Sequence, residues 1–449
     1  MCRGAPLIDW IRTGSTTAEL ARHPHRSLSL TTERAEAGPP LRNRSFPLSP
    51  SALFVEASRV ADHVFRVEAY VTLLDKVLAL YRADGEVRAF FGLSAAAERL
   101  ILACDAELDR VSVARIDGYV DAATGRLRFL ENNADAPAGA VFTPRINEVV
   151  ADVHQQLGLD GGDPGEFAFR DDRAFAAHLL AHAERFGARS AGLRVAVLQP
   201  RDAPSVEPAE LVAQLNAYGA TAFLADPRDI ELVDGVVRFA GRPADLCWNK
   251  VNTVLWRGLV EDSGDLVDRW CRALAHEGFL HVNSMGARYV AESKLALALV
   301  QDPRFADRFD AAERSLVAEV LPWSRTLRGG SDLPSEAEIR ARAKDFVLKE
   351  PYDIRGDGVL VGRATRGDVW GDAVADGAVL GRLLQEYVAP VSCPVLCEDG
   401  RTVPMAVSLD SFVWGGRFVG FGAKASTGDR VNVFQGGRKL SVRVSGSAR

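Results

Sequence analysis

The stretch RVSVARIDGYVDAATGRLRFLENNADAP, residues 110–137, decides how this chain is read. VSVARIDGYV follows the two-residue period of a strand, DAATG has turn composition, and RLRFLENN takes up the period again, so the spacing predicts a β-hairpin. Successive side chains on a strand alternate between faces. Arg115 and Asp117 therefore share one face, Glu131 and Asn133 share a face of the next strand, and Asp135 lies just beyond. Pairing across DAATG would gather three oxygen-bearing side chains and one guanidinium on a small patch. Oxygen donors suit Mg²⁺, which favours a few carboxylates plus phosphate oxygens. A solvated polar strand face is the commoner source of such alternation. Strands seldom collect as many strand-averse residues as ENNADAP holds, however.

Working outward, LRVAVLQP reads as a buried strand, AELVAQLNAYG as a helix closed by Gly219, and TAFLADP as the next strand. This β-α-β crossover implies a parallel sheet with a small-molecule site near the strands' C-terminal ends. ELVDGVVRF adds a hairpin on an Asp-Gly turn, and helices follow through VDRWCRALAHEG and from Glu292 to Val300. Beyond about Asp332 come a helix in SEAEIRARAKD, a strand–loop–strand in DFVLKEPYDIRGDGVLVGRA, and a strand in LLQEYVAP. Glycine-rich, mainly antiparallel strands then run through VPMAVSLDSFVWGGRFVGFGAKAS and NVFQGGRKLSVRV. Upstream of the hairpin, apolar residues recur at helical spacing from Glu56 to Tyr81, and again in AAAERLILACDAEL. His63 and His154 fall in helical stretches and are read as packing residues. Residues 1–50, rich in Ser, Thr, Arg and Pro, are expected to form a loosely structured arm or a peripheral strand and helix.

Lysine is scarce: only seven of the 54 basic residues are lysines. Lys294 opens the apolar helix in AESKLALALV, and Lys349 ends the strand DFVLK before a loop containing Gly356 and Gly358. A lysine after a buried strand, facing such a loop, can reach phosphates that the loop covers. No G-x4-G-K-[ST] P-loop is present, and GDGVLVG enters a strand where a dinucleotide fingerprint would enter a helix. In LLQEYVAP, Gln385, Glu386, Tyr387 and Val388 offer backbone groups to a purine edge, and Glu386 can accept from an exocyclic amine or a ribose hydroxyl.

Together, RIDG at 115–118, ENNADAP at 131–137, Lys294, the strand–lysine–loop around Lys349 to Gly358, and QEYV at 385–388 resemble the ATP-grasp superfamily. They look most like its glutathionylspermidine-synthase-like, circularly permuted branch of carbon–nitrogen ligases, over about residues 100–440. In most ATP-grasp enzymes the metal-binding residues follow both lysines and the hinge; here they precede them, which is the permuted order. The resemblance implies Asp117, Glu131 and Asn133 as Mg²⁺ ligands and Arg115 on the transferred phosphoryl group. It also implies Lys294 and Lys349 on ATP phosphates, Arg355, Gly356 and Gly358 in the loop over them, and Gln385 to Val388 as the adenine hinge. Two departures stand out: Glu350 intervenes between the second lysine and Pro351, and Asp357 interrupts the glycines. No amidase domain like that of some relatives is visible, so their polyamine and glutathione specificity is not carried over.

The fold class expected is α/β and α+β, ATP-grasp-like, with a Rossmann-like β-α-β substrate module and an antiparallel nucleotide-binding lobe. The expected parts are an arm (1–50), a helical region with the Mg-binding hairpin (51–190), the substrate module (191–285) and the nucleotide lobe (286–449). A length of 449 residues allows about three domains, and 47% hydrophobic with 25% charged residues excludes a mostly disordered chain. A net charge of −6 without a long basic run argues against nucleic acid. No apolar run approaches the roughly 20 residues needed to span a bilayer. Asp9 and Arg12 stand where a signal peptide would need its apolar centre. The six scattered cysteines read as reduced thiols of a cytoplasmic enzyme, and Cys393–Cys397 lacks the further soft ligands of a zinc site.

The expected activity is ATP-dependent joining of a carboxylate to an amine. The substrates would be small amino acids or peptides, including a γ-glutamyl dipeptide. Arg257, Arg325 and Arg417 are candidates for pairing with substrate carboxylates. Alternatives are a ligase acting on a larger peptide or carrier, and a non-catalytic nucleotide-binding module.

Overall fold

The computed structural model describes residues 6–40, 47–159, 167, 169–186, 192–330, 332–353, 356–433 and 436–445. The chain starts with helices α1 (Trp10–Leu20) and α2 (Pro24–Glu36), then strand β1 (Leu48–Glu56). Asp9 caps α1 by accepting from the Arg12 N–H. The described part of the expected loose arm is therefore largely helical. Of the two expected forms the helix and strand are present, and the buried face of the helices includes Thr13, Thr16, Thr17, Ser27 and Thr31, which leave little apolar period to read.

Helices α3 (Ala57–Ala83), α4 (Gly85–Phe91) and α5 (Ala95–Ala103) follow, and α3 buries the stripe Val67, Tyr70, Val71, Leu74, Val77, Leu78 and Tyr81. Next comes the hairpin, β2 (Val113–Val120) and β3 (Leu127–Asn133), in a register that sets Arg115 opposite Asn133 and Asp117 opposite Glu131. Helices α6 (Phe142–Gln156) and α7 (Ala174–Arg185) lead to the crossover β4 (Arg194–Leu198), α8 (Val206–Ala217) and β5 (Thr221–Ala225), whose strands pair in parallel. β6 (Ile230–Val233), β7 (Val236–Phe239) and β8 (Arg242–Pro243) form a small separate sheet. β9 (Leu246–Asn249) and β10 (Leu280–Val282) complete the parallel sheet in the order β10-β9-β4-β5. These last two strands, of four and three residues, are too short to show a period in the sequence.

The expected helix from Glu292 to Val300 is shorter: a π-helical turn at Ala287–Ala291 precedes a helix at Leu295–Leu299, with Lys294 at its N-cap position. β11 (Ser324–Thr326), β12 (Phe346–Lys349), β13 (Val359–Val361) and β14 (Leu383–Glu386) form an antiparallel sheet in the order β11-β14-β12-β13. The last strands, β15 (Ser392–Leu396), β16 (Thr402–Trp414), β17 (Arg417–Ser426) and β18 (Arg438–Ser445), return to the hairpin. The result is a seven-stranded sheet ordered β1-β18-β17-β16-β2-β3, with β15 also on β16. The segments 51–190 and 286–449, expected as separate parts, thus share one sheet. Local periodicity defines strands but not their partners, which long-range packing selects.

Among the described residues no helix is long and apolar enough to cross a membrane. Cys104, Cys247, Cys271, Cys393 and Cys397 are free thiols, and no cluster of three or more His, Cys, Asp or Glu suited to a metal occurs among those residues. His63 packs against Phe421 with Nε2 2.9 Å from Ser411 Oγ, and His154 Nε2 is 2.8 Å from the Pro50 carbonyl, so both are packing residues.

Candidate active site

The face of the seven-stranded sheet that carries Asp117 is lined in rungs, because strand register aligns side chains across neighbouring strands. Glu131, Asp117 and Asp410 are successive partners across β3, β2 and β16. Two residues further along β16, Ser408 pairs with Lys424 on β17, which pairs with Lys439 on β18. A row of acids thus borders a row of bases. Above them lies a cavity of about 650 Å³, closed on another side by β12, β13 and the end of β14. Arg115, Asp117, Glu131, Asn133, Lys349, Gly356, Gln385, Glu386, Tyr387 and Val388 all line it. Arg115 and Val388, 273 positions apart in sequence, are brought together here.

The hairpin's charges are tightly compensated. Arg115 Nε is 2.6 Å from Asp117 Oδ1, and its Nη2 donates to Asn133 Oδ1 at 3.0 Å. Lys424 Nζ donates to Asp117 Oδ2 at 2.7 Å and stands 3.2 Å from Asp410 Oδ2. Burial alone would raise the Asp117 pKa, but Arg115 and Lys424 hold its carboxyl well below the usual range. Burial and the neighbouring Asp117 charge push Asp410 up. An unpaired member of such a cluster would be costly, which ties these residues into one unit.

Lys294 lies beneath the cavity wall, 2% exposed, with Nζ 2.8 Å from Glu131 Oε1 and also bonded to the Asp353 carboxylate. Burial works against its charge, yet these two carboxylates hold the ammonium well above its ordinary pKa. Lys349 bridges the two sheets instead, donating to the Leu130 carbonyl at 2.9 Å. Burial, only partly offset by Glu131, lowers it to about 8. Asp353 accepts from the Gly358 N–H at 3.2 Å, and Arg430 donates to the carbonyls of Gly356, at 2.5 Å, and Val359, at 3.0 Å. Gly356 has φ +74°, a backbone conformation that favours glycine. Gly358 does not line the cavity itself, and Arg355 lies outside the described residues.

Part of the backbone at the expected hinge is paired within the protein. The Glu386 N–H already donates to Trp323, and the Tyr387 N–H to Asp345, because β14 is an inner strand of its sheet. Those two amides are engaged within the protein, and Gln385 to Val388 all line the cavity. Arg257, Arg325 and Arg417 also lie elsewhere: each is paired with a carboxylate (Glu261, Asp332 and Glu68) and none lines the cavity.

The turn after the hairpin is held from every side. Glu292 Oε2 accepts from the N–H groups of Ala134 and Asp135, and Glu207 Oε1 from those of Gly139 and Val141. Lys250 donates to the carbonyls of Ala136 and Pro137, and Arg115 to that of Ala138. Lys250, Glu207, Glu292, Lys424, Lys439 and Asp410 were not picked out from the sequence. The lysine scarcity was the available signal: five of seven lysines gather here, two of them inside the small-residue strands GAKAS and GRKLS.

Do these residues suit Mg²⁺? Asp117, Glu131 and Asn133 present only oxygen donors, adjacent across two strands, which is the donor chemistry the ion takes. They form no ready-made cage, in keeping with an ion that draws remaining ligands from phosphate and water. The donor set fits.

No family model matches the chain, and no curated protein matches it in sequence. Among solved structures, it matches a glutathione synthetase-like effector from Globodera pallida at a TM-score of 0.62 and 13% identity, covering 94% of this chain and 96% of that one. That likeness shows the fold: the mixed α/β, multi-sheet architecture expected from the sequence is the one present. A Methylobacillus flagellatus protein, provisionally named a gamma-glutamylcysteine synthetase, matches at a TM-score of 0.44 and 11% identity over 83% of this chain and 87% of that one. A RimK-domain ATP-grasp protein from Sphaerobacter thermophilus matches at 0.27 and 17% identity over 51% and 90%. Those two TM-scores are too low to bear on fold or function.

Proposed function

We propose that the chain is an ATP-dependent carboxylate–amine ligase of the ATP-grasp type, in the permuted order. It would form an amide or peptide bond between small amino acids, with a γ-glutamyl dipeptide among the candidate products. The observation that carries this reading is the single cavity into which the hairpin brings Arg115, Asp117, Glu131 and Asn133 opposite Lys349 and the β14 end. The fold shared with a glutathione synthetase-like effector agrees with it.

In the reaction, a substrate carboxylate oxygen attacks the γ-phosphorus of ATP and ADP leaves, giving an acyl phosphate. The neutral amine then attacks the acyl carbon, the C–O bond to phosphate breaks, and the ammonium proton is released. Phosphoryl transfer requires positioning and charge neutralisation more than covalent chemistry. Arg115, fixed by Asp117, Asn133 and the Ala138 carbonyl, would meet the transferred phosphoryl oxygens. Lys349 supplies a charge from the opposite sheet, and Lys294 holds Glu131 in place. Asp117, Glu131 and Asn133 would hold Mg²⁺, which, when bound, neutralises phosphate charge.

The test is ADP release by purified protein with Mg²⁺-ATP and pooled amino acids, with products identified by mass spectrometry. Amine-dependent ADP release is expected, falling ~10²–10³-fold in Glu131→Gln and Arg115→Ala. Near-normal release by Glu131→Gln would remove the metal assignment, and release without an amide product would remove the ligase.

A further inference from the structure

Four lysines line the cavity, and three of them are paired: Lys250 with Glu207, Lys349 with the Leu130 carbonyl, and Lys424 with Asp117 and Asp410. Lys439 is the exception. It is 6% exposed, and its Nζ makes no ion pair or hydrogen bond among the described residues. Its register partner on β17 is Lys424, a like charge, and its nearest aromatic contact is Phe142, with Nζ 5.6 Å from the ring centroid. A buried, unpaired amine beside another lysine is unfavourable unless an anion joins it.

The groups around it supply no free anion. Phe142 is the first residue of α6, whose N-terminal end is already met by the carboxylate of Glu207, which accepts from the Val141 N–H and pairs with Lys250. The acids within reach are already matched. Asp117 and Asp410 on β2 and β16 stand against Arg115 on β2 and Lys424 on β17, leaving Lys439 as the surplus charge. From the adjoining strand β1, the residue opposite Lys439 is Leu48, which carries no charge.

Position decides what the anion belongs to. From β2, which bears Arg115, to β18 there are three strand spacings of about 4.8 Å, roughly 14 Å. Lys424, two spacings from β2, still reaches Asp117, so what distinguishes an anion on Lys439 is that it lies on the side of the sheet away from Lys349 and the β14 end. Building on the ligase reading, we infer that Lys439 binds a second carboxylate of the acid that is activated at Arg115. The substrate acid is then a dicarboxylate, and Lys439 determines that specificity. Burial, with Lys424 and Arg115 adding to it and Asp410 and Asp117 opposing, lowers the Lys439 pKa to about 7. Above that pH the empty site holds a neutral amine, and binding of the carboxylate draws in a proton.

The experiment is calorimetry at pH 8 in buffers of different ionisation enthalpy. Glutarate, adipate and suberate are titrated against monocarboxylates of equal length, and the nucleotide probe is Mg²⁺ with a non-hydrolysable ATP analogue. For the unaltered protein, at least one diacid is expected to bind 10-fold or more tighter than its monocarboxylate, with uptake approaching one proton. Lys439→Met should lose at least 10-fold in diacid affinity together with the proton uptake. Lys439→Arg, permanently charged, should bind the diacid without taking up a proton, and all three proteins should bind the nucleotide alike. No preference for any diacid, unchanged diacid binding by Lys439→Met, or a loss confined to the nucleotide would each overturn the assignment. Diacid binding with proton uptake but no ADP release with any acid would remove the ligase reading and leave the anion site standing.

Discussion

Lys424 Nζ on β17 lies 2.7 Å from Asp117 Oδ2 on β2, reaching past β16, the strand between them. On that intervening strand it also meets Asp410, which is fully buried and sits directly opposite Asp117 in register. One ammonium thus keeps two facing carboxylates from repelling each other at the floor of the cavity.

Replacing Lys424 by Met should therefore be far more damaging than a lost surface contact. Breaking a buried charge pair by removing one partner costs about 3–5 kcal/mol. The expected outcome is a drop of that size in urea-unfolding stability, with Lys424→Arg costing less. Adding Asp410→Asn to Lys424→Met should recover part of the loss, because one uncompensated carboxylate is then gone. Additive damage from the two substitutions would contradict this arrangement.

Acid should weaken the fold through four histidines, for burial also lowers His178 and His182 to about 4. Burial lowers His63 and His281 from 6.5 to about 3, with Arg66 adding at His63 and Arg288 at His281. The unfolded chain binds more protons than the folded one between those values, so stability rises with pH across this window and is level above about 6.5. Each histidine should cost about 1.4 kcal/mol per pH unit below that point. Urea midpoints at pH 7, 6 and 5 measure the slope, and His63→Gln should make it shallower.

Gly139→Ala should disturb the site without touching a charged residue. Gly139 has φ +97°, and a Cβ there would stand 2.7 Å from Thr143 Oγ1. Backbone strain of this kind costs about 1–3 kcal/mol. Because the neighbouring Ala138 carbonyl holds the Arg115 guanidinium, ADP release should fall as well. Wild-type stability in Gly139→Ala would show that the turn yields more easily than its geometry indicates.

The hairpin and its four polar residues were legible because alternation fixes which side chains share a face, and no tertiary information is needed for that. Lys349 was legible for a similar reason, since a charge ending an apolar strand is conspicuous. Lys439 was not: inside GGRKLSVRV it has the appearance of any outward-facing strand residue. Its burial comes from α6 packing over the sheet, a contact between segments almost 300 residues apart. Lys250 and Glu207 were hidden in the same way, because what they hold is the backbone of the 134–141 turn, in a different segment. The helices at 10–36 were legible only as one of two alternatives, because hydroxyl side chains form much of their buried face.

The parallel pairing of β1 with β18 has a consequence for synthesis on the ribosome. β1 and β2 emerge early, yet in the finished sheet β18, β17 and β16 stand between them, all drawn from beyond residue 400. A growing chain thus carries β1 and the β2–β3 hairpin with open edges through most of translation, a state prone to aggregation. The carboxylates of the hairpin meet Lys424 only when the centre of the sheet is inserted at the end. A nascent chain that ends before β16 therefore lacks Asp410 and Lys424 at the cavity floor, and its two early edges stay open the longest.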